Sequence, residues 1–177
     1  DNGLGKRLET VSYSPSAATY VSKGFDDYQF IEDDKYNLVG SGRAWFGDLF
    51  DFKLSYDYVM QFPNIDQSDT SFIQTKAVAR STVAGTRLNY SINGSQVASL
   101  NFSAVGSSSG NDYVRESQDR VPFFSTSNTL QLNLTYNNAV NPSATAWLDY
   151  IELQVRRNLT MAGSAMYIRD KRAFRQG

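Results

Sequence analysis

The chain has 177 residues, 41% of them hydrophobic and 14% aromatic, a composition typical of one globular domain that needs no disulfide or structural metal. It contains no Cys and no His, which excludes thiol nucleophiles, Ser-His-Asp triads, disulfides and the usual Cys/His zinc sites. Lys and Arg number 17 against 18 Asp and Glu, and no apolar run approaches the ~20 residues of a membrane helix, so we expect neither nucleic-acid binding nor a transmembrane segment.

Alternation of apolar and polar residues dominates the chain and indicates β-strands. In chain order it predicts strands at 18–31, 43–50, 54–62, 71–81, 86–92, 95–103, 112–121, 130–136, 146–156 and 165–169. Asn93-Gly94 favours positive φ at both positions and therefore predicts a β-hairpin over 86–103. Residues 115–121 could instead form a short helix limited by Pro122. These strands and their short polar turns predict an all-β fold, a two-sheet antiparallel β-sandwich that is jelly-roll-like.

The predicted strand 146–156 differs from the others because apolar residues lie on both of its faces. In an unbroken strand the odd-numbered residues from Trp147 to Val155 share one face, while Leu148 and Tyr150 lie on the other. This pattern predicts a central strand that is covered on both sides at its start. Without an internal repeat or an interdomain linker, we predict a single domain over 1–177, with 1–17 and 170–177 as arms.

Charge is distributed unevenly along the chain. Residues 1–70 contain 12 acidic and 6 basic residues, whereas residues 151–177 contain 6 basic and 2 acidic ones. Two interpretations stay open. The acidic loops and the basic tail are solvated, or the basic end docks on another domain of a longer parent chain.

One string in the first half of the chain is unusually rich in groups that bind ligands. Between Gly42 and Asp51 it offers four weak binding candidates: Arg43, Trp45, Phe46 and Asp48. Exposed Trp and Arg side chains stack on sugar rings or peptide groups and are enriched at binding hot spots. The structural alternative is that Trp45 or Phe46 plugs one end of the sandwich while Arg43 pairs with a carboxylate.

Acidic residues are the remaining candidates for chemistry in a chain without His. One group flanks a predicted strand: Asp26, Asp27, Glu32, Asp33 and Asp34. It lacks the Asp-x-Asp-x-Asp-Gly loop of calcium sites, which favours exposed acids at strand ends. A second group could supply the carboxylate pair of a hydrolase, namely Asp48, Asp51, Asp149 and Glu152, although nothing places any two opposite each other. We predict no catalytic residue, no metal and no cofactor.

Several segments in order along nearly the whole chain carry a family resemblance. Gly5-Lys6-Arg7-Leu8 comes first, followed by Phe25-Asp26-Asp27-Tyr28 with Glu32-Asp33-Asp34, and then by Gly40-Ser41-Gly42-Arg43-Ala44-Trp45-Phe46-Gly47-Asp48. Ala146-Trp147-Leu148-Asp149-Tyr150-Ile151-Glu152 with Arg156-Arg157-Asn158-Leu159, and residues 166–170, complete the series. Together they resemble the non-catalytic part of PorU-like sortases of the bacterial type IX secretion system, which are gingipain-type cysteine peptidases. Ala44 and Asp48 stand where that family usually has Glu, which puts any role of an acid at position 44 in doubt.

The resemblance implies a β-sandwich domain that precedes the peptidase domain of an exported protein at the cell surface or outer membrane. It implies two partners, the adjacent peptidase domain and secreted protein cargo, and a fragment of a longer chain. The family's catalytic His and Cys have no counterpart here, so no active-site residue carries over. The alternative is a carbohydrate-binding jelly-roll module, because Asp149-Tyr150-Ile151-Glu152-Leu153 also resembles a strand of such modules.

Overall fold

A computed structural model describes Ser12 and residues 21–40, 42–108 and 110–172. Within these residues the chain forms nine β-strands and no helix. The strands are β1 (Gly24–Glu32), β2 (Leu49–Phe50), β3 (Ser55–Gln61), β4 (Thr70–Arg80), β5 (Thr86–Ile92), β6 (Ser95–Phe102), β7 (Arg115–Phe124), β8 (Thr129–Asn137) and β9 (Thr145–Asn158). The predicted all-β fold with two antiparallel sheets is confirmed.

The two sheets differ in size and strand order. The first has the order β1-β9-β4-β7, with β2 also paired to β9, and the second has the order β3-β8-β5-β6. The first and last strands therefore lie side by side, with Asp26 opposite Arg156 and Ile31 opposite Ile151. This pairing brings the acidic first half of the chain against its basic end.

The core lies between the sheets, where every second residue of each strand points inwards. On β8, Leu130, Leu132, Leu134 and Tyr136 are each at most 1% exposed. Ile151 and Leu153 of β9 belong to the same cluster and are fully buried. Each such side chain contributes roughly 1.5–3 kcal/mol through burial, so this layer is the main source of stability.

The predicted hairpin over 86–103 is confirmed. β5 and β6 pair with Ile92 opposite Ser95, and Asn93 and Gly94 form the turn with φ values of 49° and 81°. Positive φ at both turn positions matches the right-handed twist of the strands, which is why Asn-Gly is preferred there.

A β-bulge in β9 makes the predicted division of its faces wrong. Lys76 of β4 lies opposite Tyr150, but Ala77 lies opposite Leu148, so Asp149 is the extra residue. Before the bulge Leu148 points into the core, and Trp147 therefore points to the outer face, the face of the first sheet opposite the core.

The start of β9 is nevertheless covered on both sides, as predicted. Trp147 packs on the outer face with Phe46 and Val78, and Leu38 and Leu49 contact this small cluster. The loop before β2 supplies the cover, because Phe46 pairs with Tyr36 and reaches across to β9.

The predicted strand 43–50 is wrong over most of its length, since only Leu49–Phe50 forms a strand. Gly42 has a φ of 69°, which breaks an extended conformation. The Gly47 N–H donates to the Leu148 carbonyl at 2.7 Å, and a Cβ at Gly47 would lie 3.2 Å from the Asp33 carbonyl oxygen. Close backbone packing on β9 thus replaces regular pairing here.

Two other segments differ from the predicted elements, and the helix left open for 115–121 does not form. Strand β1 begins only at Gly24, and residues 165–169 form no strand but a single bridge between Arg169 and Asp26. Residues 115–121 belong to β7 and not to a helix, because β4 offers them a complete antiparallel partner. Several parts of the predicted elements lie outside the described residues: the arm 1–17 apart from Ser12, residues 18–20, Ser41, and residues 173–177.

Candidate functional site

The predicted binding string folds around an ionic network centred on Asp48. The Lys35 ammonium lies 2.9 Å from a carboxylate oxygen of Asp48 and 2.9 Å from one of Asp33. The Tyr58 hydroxyl donates to the second Asp48 oxygen at 2.6 Å. These bonds join three consecutive parts of the chain: the residues that follow β1, the loop before β2, and β3.

The protonation states of this network are fixed. Burial opposes the charge of Asp48, but hydrogen bonds from Tyr58 and Lys35 outweigh it and lower its pKa. Hydrogen bonds to Asp33 and Asp48 raise the pKa of Lys35 above its usual range. Burial and the bond to Asp48 raise the pKa of Tyr58 in the same way. All three pKa values move away from neutrality, so the network suits support rather than proton transfer.

The structure divides the four predicted candidates into two kinds. Asp48 belongs to the ionic network, and Phe46 is only 8% exposed beneath the outer face. Trp45 is 45% exposed and Arg43 lies at the surface. Arg43 and Trp45 are therefore the two members of the string that a ligand could reach directly, and their binding role stays a prediction.

The aromatic residues next to this string are held by their hydroxyls. Tyr56 donates to the Leu49 carbonyl at 2.8 Å, and its ring carries the Lys53 ammonium 3.9 Å from the centroid. Tyr56 and Tyr58 are both half-buried. They brace the loop before β2, which leaves Trp45 as the exposed indole of this region.

A second polar centre lies at the opposite end of β9, around Arg156. Its side chain is 6% exposed and donates to Asp170 at 2.7 Å and to Asp26 at 3.2 Å. Further bonds run to the Ser22 hydroxyl at 3.0 Å and to the Gly24 carbonyl at 2.8 Å. The hydrogen bond from Arg156 outweighs desolvation and lowers the pKa of Asp170 well below its usual range.

Of the two interpretations left open for the basic end, a solvated tail is wrong for Arg156 and Arg157, which are both buried. Arg157 is 8% exposed, and it donates to Asp27 at 2.6 Å and to the Pro63 carbonyl at 2.5 Å. The signal in the sequence was the adjacent pair Asp26-Asp27 early in the chain. Only the pairing of β1 with β9 brings Asp26 to Arg156 and Asp27 to Arg157.

Neither centre has the composition of a metal site. Within the described residues no three or more Asp or Glu side chains are grouped so that they could hold a metal ion. Two of the four carboxylates considered for a hydrolase form ion pairs instead. Asp48 binds Lys35, and Asp149 lies 3.0 Å from the Lys76 ammonium. Because the sequence has no Cys, this chain is not itself a cysteine peptidase.

No helix in the described part of the chain is long and apolar enough to cross a membrane.

Comparisons with known proteins find similar structures, but no matching sequence family. No family model matches the chain, and no curated protein matches it. The crystal structure of dimeric latent PorU from Porphyromonas gingivalis matches with a TM-score of 0.72 and 23% identity, over 88% of this chain. This chain spans only 15% of that one. At this identity the match shows a shared sandwich fold.

Two weaker matches were found among solved structures. The CBM36-1 domain of a multidomain xylanase from the hindgut metagenome of Trinervitermes trinervoides has a TM-score of 0.46 at 12% identity, covering 77% of this chain and 99% of its own. The insecticidal delta-endotoxin Cry8Ea1 of Bacillus thuringiensis has a TM-score of 0.42 at 19% identity, covering 62% of this chain and 20% of its own. Their similarity is too low to support an argument.

Proposed function

We propose that this sandwich is a non-catalytic module of a larger PorU-like protein, in which it supports an adjacent cysteine peptidase domain or presents secreted cargo to it. The observation that carries the proposal is the shared fold over 88% of the chain, with a segment that makes up 15% of latent PorU. The ordered motifs from Gly40 to Asp170 point to the same family. An exported protein at the cell surface fits this role.

The two polar centres give the proposal a physical basis. Both fix loops to the sandwich through buried or half-buried ion pairs, and neither holds a group poised for proton transfer. The Arg156–Asp170 pair anchors the last described residues against β9. A segment held in this way would set the orientation of whatever domain follows it.

The test begins with the coding sequence downstream of Gly177. We expect it to continue into a peptidase domain that contains both His and Cys, and we expect that domain to melt at a higher temperature when joined to the sandwich than alone. The isolated sandwich should cleave no peptide. A stop codon after Gly177, or peptide hydrolysis by the purified sandwich, would contradict the proposal.

Carbohydrate binding is the second candidate, and the exposure of Trp45 is the observation in its favour. An exposed indole ring can stack on the apolar face of a sugar. A glycan array probed with the wild-type protein and with Trp45→Ala tests this candidate. Binding that Trp45→Ala abolishes would support it, and absence of signal with the wild type would contradict it.

A further inference from the structure

A groove of about 650 Å³ lies on the outer face of the first sheet, away from the Asp48 network. Its floor crosses the strands, with Tyr28 of β1 and Phe72 of β4 on either side of Gln154 on β9. Arg120 of β7 lies beyond Phe72 and forms the far rim. The volume falls in the range of known ligand pockets.

One wall of the groove is the segment 169–172, which crosses three strands in turn. At β1 the Asp26 N–H donates to the Arg169 carbonyl at 2.6 Å. At β9 the Asp170 carboxylate binds Arg156, and next to the start of β4 the Arg172 guanidinium lies 2.5 Å from Asp69. These three attachments hold the wall in place and leave its basic side chains along the groove.

The lining has more cationic groups than its own carboxylates neutralise. Three acids are already engaged: Asp26 by Arg156, Asp69 by Arg172, and Asp27 by Arg157, which lies outside the lining.

The remaining charges of the lining are unevenly matched. Among the described residues no carboxylate pairs with the side chain of Arg169, Lys171 or Arg120. Glu152 is the single lining acid outside the ion pairs, and it accepts a hydrogen bond from Gln154 at 2.6 Å. Over the whole lining, five cationic side chains face four carboxylates, and the three cations that no carboxylate neutralises lie on the wall and the far rim, where they attract anionic ligands.

The floor distinguishes between kinds of anionic ligand. The Arg120 guanidinium lies 3.7 Å from the centroid of the Phe72 ring and donates to Gln154 at 2.9 Å. It therefore covers the face of Phe72, so Tyr28, at 51% exposure, is the open ring of the groove. Sugar binding usually needs a broader aromatic platform, whereas a peptide can use single rings, amides and guanidinium groups.

We propose that this groove binds an extended acidic peptide segment of a protein partner. Its carboxylates pair with Arg120 at one rim and with Arg169 and Lys171 along the wall, and its backbone lies over Gln154. Guanidinium groups favour carboxylates because the two planar groups can form parallel hydrogen bonds. The inference goes beyond the proposed module role and can be tested on the isolated protein.

Binding can be measured by fluorescence anisotropy with a labelled peptide of alternating Glu and Ser, and with the same peptide carrying Gln for Glu. We expect only the acidic peptide to bind, and we expect its affinity to fall when NaCl rises from about 50 to about 300 mM. Arg169→Gln/Lys171→Gln should weaken binding about tenfold, as should Arg120→Gln.

The matched control is Arg87→Gln/Lys53→Gln, which removes two positive charges outside the groove and should change the affinity less than about twofold. Equal binding of the Gln peptide, or equal loss in the control, would overturn the proposal. So would binding of polygalacturonate without binding of the acidic peptide, which would assign the groove to an acidic glycan. The salt dependence and the Gln peptide use the wild-type protein alone, so the test does not depend on the folding of any variant.

Discussion

Tyr56 and Tyr58 lie two residues apart on β3, and their hydroxyls donate to acceptors of different charge. Tyr58 binds the Asp48 carboxylate, whereas Tyr56 binds the neutral Leu49 carbonyl. Hydrogen bonds to charged groups contribute about 1.5–3 kcal/mol and neutral ones about 1 kcal/mol. We predict that Tyr58→Phe lowers the free energy of unfolding by about 2 kcal/mol and Tyr56→Phe by about half as much. Urea denaturation of both variants checks this order, and an equal loss would contradict it.

Tyr90 presents the opposite case, a hydroxyl in the core without a hydrogen-bond partner in the described structure. The side chain is 1% exposed, and burial raises its pKa above the usual range. Removing an unpaired buried hydroxyl relieves a desolvation cost while the ring packing stays. We therefore predict that Tyr90→Phe raises the free energy of unfolding by about 1 kcal/mol.

The control for Tyr90 is Tyr150→Phe. The Tyr150 hydroxyl accepts hydrogen bonds from Gln74 at 2.6 Å and from Gln118 at 3.1 Å. This variant should be destabilised in the same urea experiment. Destabilisation of Tyr90→Phe to the same extent would show that its hydroxyl has a partner, such as a buried water.

Two adjacent aromatic residues in the loop before β2 differ in role, because one packs in the interior and the other lies at the surface. Phe46 is buried with Trp147 and Val78, while Trp45 is exposed. We predict that Phe46→Ala lowers the free energy of unfolding by about 3 kcal/mol, because it uncovers the start of β9. Trp45→Ala should cost less than about 1 kcal/mol. Thermal or urea unfolding of the pair tests the prediction, and a larger loss for Trp45→Ala would refute it.

The elements predicted best from the sequence are those determined by local geometry. The hairpin at Asn93-Gly94 forms as predicted because its turn requires only that these two residues adopt positive φ. The faces of β9 were predicted wrongly, because Asp149 becomes an extra residue only when β4 pairs across it. Residues 165–169 were also predicted as a strand, but only Arg169 bridges to β1.

At the scale of the whole molecule, the absence of His makes the pH dependence simple. No side chain with an ordinary pKa titrates between about pH 6 and 8, so we expect the free energy of unfolding to be nearly constant there. Below about pH 4 it should fall, because carboxylates paired in the folded state become protonated. Asp170 is a main contributor, since Arg156 holds its pKa below the usual range.

The direction in which the free energy of unfolding changes with pH follows from the lowered pKa of Asp170. The stabilisation from Asp170 is complete above its unfolded pKa of about 3.9 and is lost as pH falls through the folded pKa. We predict that Asp170→Asn costs about 2 kcal/mol at pH 7 and shows a shallower decline in acid than the wild type. Urea denaturation at several pH values measures both effects. Asp34→Asn, which alters an exposed acid, is the control, and an unchanged acid slope in Asp170→Asn would contradict the prediction.

The candidate sites were predictable only in part. The string from Arg43 to Asp48 was identified from its composition, but the sequence did not show that Phe46 would be buried while Trp45 stays exposed. The groove was not predicted at all. Its rims, Arg120 and the segment 169–172, are separated by about a quarter of the chain and meet on one face only after β7 and β9 pair with β4.

The sequence by itself determined the all-β class, the hairpin and the absence of thiol and imidazole chemistry. Each follows from residue types or from spacing within a few positions, where backbone geometry leaves little choice. Tertiary structure decided which charges are paired, which faces are covered and where a ligand could lie. Those properties depend on strand register between distant segments, such as β1 with β9, and a one-residue shift there exchanges the buried and exposed side chains.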